Sequence, residues 1–257
     1  MKKDPANLHQ PTVDGFGFEW SHFDQSALPV EDKSELFAAY FDIFPWERLP
    51  QAAEGFDAGC GSGRWAMLVA PRVGTLHCVD ASSDALEVAR RGLAANSNCL
   101  FHHASIDSLP FPDETQDFGY SLGVLHHVPD TEGGLSACVS KLKPGAPFLL
   151  YLYYALDNRQ IWYRLLWRAS DVFRRGISML PAGLKLLTSQ IIALLLYWPL
   201  ARFALLVERL GANASPLPLY FYRHRSFYVM QTDALDRFGT QLEKRFTRIA
   251  IKEMMGR

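Results

Sequence analysis

Three glycines at alternate positions, with an acidic residue before them and another after the next apolar run, are the part of the chain best suited to chemistry. Asp57 precedes Gly59, Gly61 and Gly63, and Asp80 ends the run that follows. Glycine has no Cβ, so such a loop can adopt positive φ angles and let a ligand approach its backbone. A carboxylate at the end of the next strand can accept hydrogen bonds from a pair of ribose hydroxyls. The pattern predicts a nucleotide-like ligand at the first crossover of an α/β sheet.

The spacing of the glycines selects among such ligands. Dinucleotide-binding loops carry G-x-G-x-x-G, but here the third glycine comes one residue earlier and Arg64 follows it. D-x-G-x-G-x-G with an acid after the next strand resembles the class I S-adenosyl-L-methionine (SAM)-dependent methyltransferases. The resemblance implies SAM as the cofactor, held by the loop and the end of the second strand through Asp57, Gly59, Gly61, Gly63, Asp80 and Ala81. A plain turn that joins strand to helix is the structural alternative, and the glycine shift disfavours a dinucleotide oxidoreductase.

Two later loops extend the expected cofactor site. Relatives often carry an acid after the third strand that bonds the adenine amino group, but the matching position here is Ser105, with Asp107 two residues on. The resemblance therefore implies that Ser105 and backbone groups beside Ile106 contact the adenine, with an ordinary surface loop as the alternative. Gly123, after the fourth strand, is expected in the same pocket.

A pair of histidines follows the fourth strand in the sequence Leu-His-His-Val-Pro-Asp, residues 125–130. This stretch resembles the variant found in small-molecule methyltransferases of the type 11 kind, such as the quinone and sterol enzymes. It differs from the Asn/Asp-Pro-Pro-aromatic motif of enzymes that methylate amino groups of nucleobases. A neutral imidazole can act as a general base near physiological pH, so His126 and His127 are candidates, with helix capping or packing as the alternative. Adjacent histidines are poorly spaced to share a metal, and no metal is expected.

Strands that alternate with helices must position these residues. Strands are predicted near 55–59, 75–80, 99–104, 117–122 and 147–153, and helices near 35–44, 63–70, 83–95 and 132–141, with an N-cap at 82–84. The alternation predicts an α/β fold with a doubly wound, mostly parallel sheet, and a helical insert after the fifth strand. The resemblance implies that this sheet is the Rossmann-like sheet of the class I methyltransferase type.

Four segments are predicted along the chain. Residues 1–54 form an N-terminal helical and aromatic cap, in which 15–24 look turn-rich. Residues 55–154 form the SAM-binding core, 155–222 a helical apolar insert, and 223–257 a C-terminal segment that ends in a helix. The strand hairpin that normally ends the family fold has no convincing counterpart after residue 246. Its absence would leave the fifth strand as an edge open to pairing with another chain, for example in a homodimer.

The insert differs in charge from the rest of the chain. Residues 155–222 hold eight basic and three acidic residues, a net charge of +5, whereas the whole chain carries −1. The uncharged run 186–201 has 16 residues, and a spanning helix needs about 20, so a membrane span is not expected. One interpretation is a cap that touches a membrane surface or receives an apolar substrate. The other is a helical lid or a dimer interface.

Composition narrows the function further. A net charge of −1 gives no basic field for nucleic acid. Four scattered cysteines and a polar N-terminus predict a reduced, cytoplasmic protein, with peripheral membrane contact through 155–222. We expect methyl transfer by in-line displacement to a small, apolar or lipid-linked acceptor that lies between the histidine loop, the end of the fifth strand and the insert. The alternative is a SAM-binding scaffold or partner subunit without turnover. The acceptor and the choice among O-, N- and C-methylation are left open.

Overall fold

The computed structural model describes residues 7–256. These residues form two compact units. The first comprises 7–25, Phe37–Arg164 and 242–256, and the second comprises Ser26–Leu36 and Leu165–Gln241.

A single parallel sheet organises the first unit. Its five strands are β1 (Glu54–Ala58), β2 (Thr75–Asp80), β3 (Cys99–His103), β4 (Phe118–Leu122) and β5 (Phe148–Tyr151). Their spatial order is β3-β2-β1-β4-β5, and each neighbouring pair is parallel. The order reverses between β1 and β4, which is the switch point at which open α/β sheets bind ligands. The predicted α/β, doubly wound fold is confirmed.

Short helices connect the strands and cover the sheet. They are α3 (Ala66–Val69), α4 (Ser83–Gly92) and α5 (Thr131–Val139). The Ser82 hydroxyl accepts a hydrogen bond from the Ala85 N–H and so caps α4, while Asp130 caps α5 by accepting one from the Gly133 N–H. The predicted N-cap at 82–84 is therefore confirmed. The sheet core is aromatic, since Phe56, Phe118 and Tyr120 are completely buried.

The N-terminal part is more regular than its glycines suggest. α1 (Gln10–His22) runs through residues that look turn-rich in the sequence, so that expectation is wrong. Gly17 lies inside the helix because α1 packs directly on the start of α4: a Cβ at Gly17 would come within 2.6 Å of the Ser82 hydroxyl oxygen. A second helix, α2 (Val30–Phe41), begins and ends earlier than the predicted 35–44.

The last residues of the first unit run beside the extension of β5. The Phe246 N–H donates to the carbonyl of Tyr153, and the Ala155 N–H donates to the carbonyl of Phe246. This is an isolated parallel bridge between Tyr154 and Phe246, and no sixth strand forms within residues 7–256. α10 (Arg248–Met255) follows, and its Ile251 and Met254 pack against the core. Residues 242–256 thus cover part of the edge that the sequence leaves open.

Helices make up most of the second unit. α6 (Ile161–Ser178) enters it, and α7 (Ala182–Ile192), a π-helical turn (Ala193–Tyr197) and α8 (Trp198–Arg209) follow, with α9 (Phe227–Gly239) near its end. The unit has its own core, formed where Ala193, Tyr197 and Ala201 pack against Met230 and Phe238 of α9.

α7, the π-helical turn and α8 form one continuous helix of 28 residues, Ala182–Arg209, called the long helix below. Among residues 7–256 it is the one helix that is long and apolar enough to cross a membrane by length and composition, and 22% of its most apolar window is buried. The helix is longer than the uncharged run 186–201, because it continues through Lys185 and Arg202.

Candidate cofactor site

A pocket with about 890 Å³ of open space lies at the carboxyl ends of β1, β2 and β4. Its walls come from the loop after β1, the end of β2, the loops after β3 and β4, and α1. Seven residues expected from the sequence line it together: Gly59, Gly61, Asp80, Ala81, Ile106, Gly123 and His127.

The glycine loop needs glycine at these positions. Gly59 and Gly61 have φ angles of +83° and +54°, which L-residues with a side chain rarely adopt. A Cβ at Gly59 would collide with the Val124 side chain, and one at Gly61 would lie 2.8 Å from Nε1 of Trp20. The loop therefore presents bare backbone to the pocket and leaves no room for a side chain.

Asp80 ties the end of β2 to this loop. One carboxylate oxygen accepts the Gly61 N–H at 2.8 Å, and the other accepts the Ser82 N–H at 2.8 Å. Burial raises the pKa of Asp80, and the hydrogen bonds from Ser82 and Gly61 offset part of that rise. Each carboxylate oxygen can accept more than one hydrogen bond, so Asp80 keeps capacity for ligand hydroxyls.

Asp57 lies beneath the loop and does not line the pocket. It is almost fully buried on β1, directly beside Tyr120 of β4. Burial raises the pKa of Asp57 well above its ordinary range, and the neighbouring Tyr120 offsets only part of that rise. This placement suits support of the loop, and the expected role of Asp57 toward the cofactor stays a prediction.

The two histidines occupy different environments. His127 lines the pocket, and its Nδ1 atom lies 2.6 Å from the carbonyl oxygen of Leu242. His126 is fully buried, and its ring centroid lies 3.8 Å from that of Tyr153. Neither of its ring nitrogens has a hydrogen-bond partner within residues 7–256. Burial lowers the pKa of His126 well below its usual value. The packing interpretation therefore suits His126, and His127 is the candidate base.

Two further expected residues also lie outside the pocket lining. Ser105 donates its hydroxyl to a carboxylate oxygen of Asp107 at 2.6 Å. Gly63 faces α4, where Leu93 and Ala89 are its nearest neighbours. Direct contact of either residue with the cofactor stays a prediction.

α1, which belongs to the aromatic cap expected for residues 1–54, supplies a further wall of the pocket. Phe16 and Trp20, one helical turn apart, line the pocket together with Thr12. The Arg64 guanidinium joins them, lying 4.3 Å from the Trp65 ring centroid and 5.9 Å from that of Trp20. The i, i+4 spacing of Phe16 and Trp20 is the signal that could have predicted this helical face. Within residues 7–256, no group of three or more His, Cys, Asp or Glu side chains could hold a metal ion.

These residues fit SAM. The bare glycine loop accepts close approach of a ligand, Asp80 offers acceptors for ribose hydroxyls, and Ile106 provides an apolar surface at the edge of the same pocket.

Comparison with known proteins agrees with this geometry. Residues 56–145 match the family model described as "Methyltransferase domain". Phosphoethanolamine N-methyltransferase 2 of Caenorhabditis elegans is 33% identical over 141 residues, which are 53% of this chain and 31% of that protein. A ubiquinone biosynthesis O-methyltransferase of Alkalilimnicola ehrlichii is 34% identical over 91 residues, 35% of this chain and 37% of that protein.

One solved structure is similar to part of this chain. The YcgJ protein of Bacillus subtilis is 25% identical, with a TM-score of 0.42, and the match covers 49% of this chain and 52% of that one. The chain thus spans between about a third and a half of these relatives. The strand order, the glycine loop with Asp80 and the family match together show that residues 56–145 form a methyltransferase domain with the class I fold, and that its pocket fits SAM.

Proposed function

We propose that this protein transfers the methyl group of SAM to a small, apolar or lipid-linked acceptor that carries a hydroxyl group. One observation carries the proposal: His127 lines the same pocket as Gly59, Gly61 and Asp80, and a backbone carbonyl holds its ring. A candidate base and a cofactor loop therefore share one cavity.

The protonation pattern of His127 supports its role as the base. The Leu242 carbonyl can only accept a hydrogen bond, so Nδ1 of His127 must carry the proton that is donated. In the neutral ring Nε2 is then the proton acceptor. It can take the proton of an acceptor hydroxyl, whose oxygen becomes the stronger nucleophile.

SAM, when bound, supplies a methyl group activated by a positively charged sulfur. Gly59 and Gly61 would let it approach the loop closely, since they line the pocket without side chains, and Asp80 would hold it through its carboxylate. Phe16 and Trp20 exclude water from that side of the pocket. Fixed positions of this kind lower the barrier by several kcal/mol, because the reacting groups no longer have to be brought together.

The pocket wall supports an apolar acceptor. Leu8, Val13, Phe16, Val124 and Val128 line it beside His127. One relative is named a ubiquinone biosynthesis O-methyltransferase. A phenolic hydroxyl on an apolar molecule would suit both this apolar wall and His127 as the base.

We further propose that the protein works in a reducing, cytoplasmic setting, in contact with a membrane through residues 155–222. All four cysteines are free and buried, which suits that compartment. A homodimer is the alternative use of the apolar insert.

Incubation with isotopically labelled SAM tests the proposal. The protein is mixed with a lipid extract or a water-soluble metabolite extract of its source cells, in parallel with the His127→Gln and Asp113→Asn variants. Asp113 is an exposed residue paired with Lys141, so its change is the matched control. We expect label in the lipid extract from the wild type and the control, but not from His127→Gln. Cofactor binding without label in any fraction would favour the scaffold alternative.

A further inference from the structure

Part of α6 exposes an apolar face edged by arginine. Leu165, Leu166, Val172 and Phe173 are 55%, 51%, 71% and 70% exposed. At 3.6 residues per turn these four lie within an arc of about 120°. Arg168 and Arg175 lie next to that arc, and both are exposed.

The long helix exposes a second apolar face. Its buried side carries Ala193, Tyr197 and Ala201, packed against α9. Its other side carries large apolar side chains that are 45–69% exposed: Leu187, Ile191, Leu194, Leu195 and Trp198. A continuous exposed apolar surface of this kind is typical of a site that binds another protein, a membrane or an apolar ligand.

Charge indicates what covers these faces. The second unit contains ten basic and seven acidic residues, a net charge of +3. The rest of the chain contains sixteen basic and twenty acidic residues, a net charge of −4. Arginines beside an exposed apolar face are the pattern of helices that lie in the headgroup region of anionic membranes. Long basic side chains can keep their charged ends among the phosphates while their stems cover apolar surface.

We propose that the second unit docks on an anionic lipid bilayer through the apolar faces of α6 and the long helix, with both helices lying in the plane of the interface. This inference deepens the membrane contact proposed above and rests on that part of the proposed function. It names the surface, the lipid charge and the orientation.

The partners of the long helix favour the in-plane orientation over a span. Arg202 donates to the carbonyls of Arg223 and Arg225 at 2.8 and 3.1 Å, and Glu208 accepts from Arg223 at 2.9 Å. These bonds hold the helix against a charged segment of the same unit. A span would carry those charges into the hydrocarbon region, where they are costly.

Flotation with lipid vesicles tests the proposal on the full chain without cofactor or acceptor. Vesicles of phosphatidylcholine alone are compared with vesicles that also contain phosphatidylglycerol, at low and high salt. Two variants each place charges on one face: Val172→Glu with Phe173→Glu, and Leu194→Glu with Leu195→Glu. The matched control is Val139→Glu with Ile249→Glu, since these residues of the first unit are 49% and 68% exposed. Thermal melts show that each variant is folded.

We expect the wild type and the control to bind the anionic vesicles, with weaker binding at high salt. Each variant should bind roughly tenfold more weakly, because it buries charge in place of two apolar side chains. Loss in only one variant would contradict docking through the other helix.

Three results would overturn the proposal. The first is wild-type binding to neither vesicle, or binding that neither variant weakens. The second is a dimer in sedimentation that both variants dissociate, without vesicle binding. The third is resistance to carbonate extraction together with protease protection of the long helix, which indicates a span. The flotation assay contains no cofactor, so its result does not depend on methyl transfer. Vesicle binding by a protein that transfers no methyl group contradicts the enzymatic proposal alone. Methyl transfer by a protein that binds no vesicles contradicts this inference alone.

Discussion

Nδ1 of His127 lies 2.6 Å from the carbonyl oxygen of Leu242, and the two residues are 115 positions apart in the chain. The next residues strengthen this connection, since the Lys244 N–H donates to the carbonyl of His126 at 3.0 Å. The segment after α9 therefore fixes the loop after β4 and sets which nitrogen of His127 carries the proton. Residues 242–256 therefore take part in building the site although they form no strand.

Replacement of His127 by Gln is expected to lower kcat by a factor of about 10²–10⁴, because the proton acceptor is lost while the glycine loop and Asp80 are unchanged. The KM for SAM should stay close to that of the wild type. Steady-state kinetics with the acceptor that the labelling experiment yields measure both constants. His22→Gln, at an exposed position of α1, is the control and should behave as the wild type. A His127→Gln enzyme with full kcat would remove His127 from the mechanism.

Gly61→Ala should damage both stability and cofactor binding. The φ angle of +54° costs roughly 1–2 kcal/mol for a residue with a side chain, and the Trp20 ring must also move. We expect the free energy of unfolding to fall by about that amount, and the affinity for S-adenosylhomocysteine to fall by roughly tenfold as the loop shifts. Denaturant unfolding and calorimetry measure the two effects.

Gly183→Ala is the matched control for that variant. Gly183 lies in α7, has no positive φ angle, and no atom would come within 4 Å of the added Cβ. Alanine should leave stability unchanged or raise it by up to about 1 kcal/mol, since glycine is unfavourable inside a helix. Equal losses in both variants would contradict the strained-loop interpretation.

Asp171 is expected to make the second unit sensitive to acid. Its carboxylate lies 2.6 Å from Nε of the buried Arg174 and 3.0 Å from Nε of Arg175. Burial raises the pKa of Asp171, but the hydrogen bond and charge of Arg174 and the charge of Arg175 outweigh it and leave the pKa below its usual value of 3.8. A carboxyl whose pKa is lowered on folding stabilises the fold above its unfolded pKa, and that stability is lost as the pH falls below about 4.

Asp171→Asn tests this pair. Removal of one charge leaves Arg174 buried without its counter-charge, which should lower the free energy of unfolding by about 3 kcal/mol at pH 7. The variant should also lose less stability than the wild type between pH 5 and pH 3. Unfolding curves at several pH values measure both effects, with Asp113→Asn as the exposed control. If Asp171→Asn lost as much stability as the wild type between pH 5 and pH 3, Asp171 would not be the source of the acid sensitivity.

The sheet and the glycine loop could be predicted because their signals are local. The loop after β1 and Asp80 are recognised from residue spacing alone, and the start and end of β2 match the predicted 75–80. α1 was missed because Gly15 and Gly17 suggest a turn, whereas packing on α4 selects glycine at position 17. Neither the contact between His127 and Leu242 nor the different environments of His127 and His126 have a local signal in the sequence. Both arise from residues that the fold brings together.

Calorimetric titration with S-adenosylhomocysteine, the demethylated cofactor, tests the central claim most directly. We expect the wild type and Asp113→Asn to bind one equivalent, and Asp80→Ala to bind roughly tenfold more weakly or not at all, because the hydrogen-bond acceptors for ribose are lost. Asp80→Asn, which keeps the side-chain shape, and a thermal melt distinguish lost binding from lost folding. Absence of binding by the wild type, or unchanged affinity in a folded Asp80→Ala protein, would contradict the assignment of this pocket to SAM.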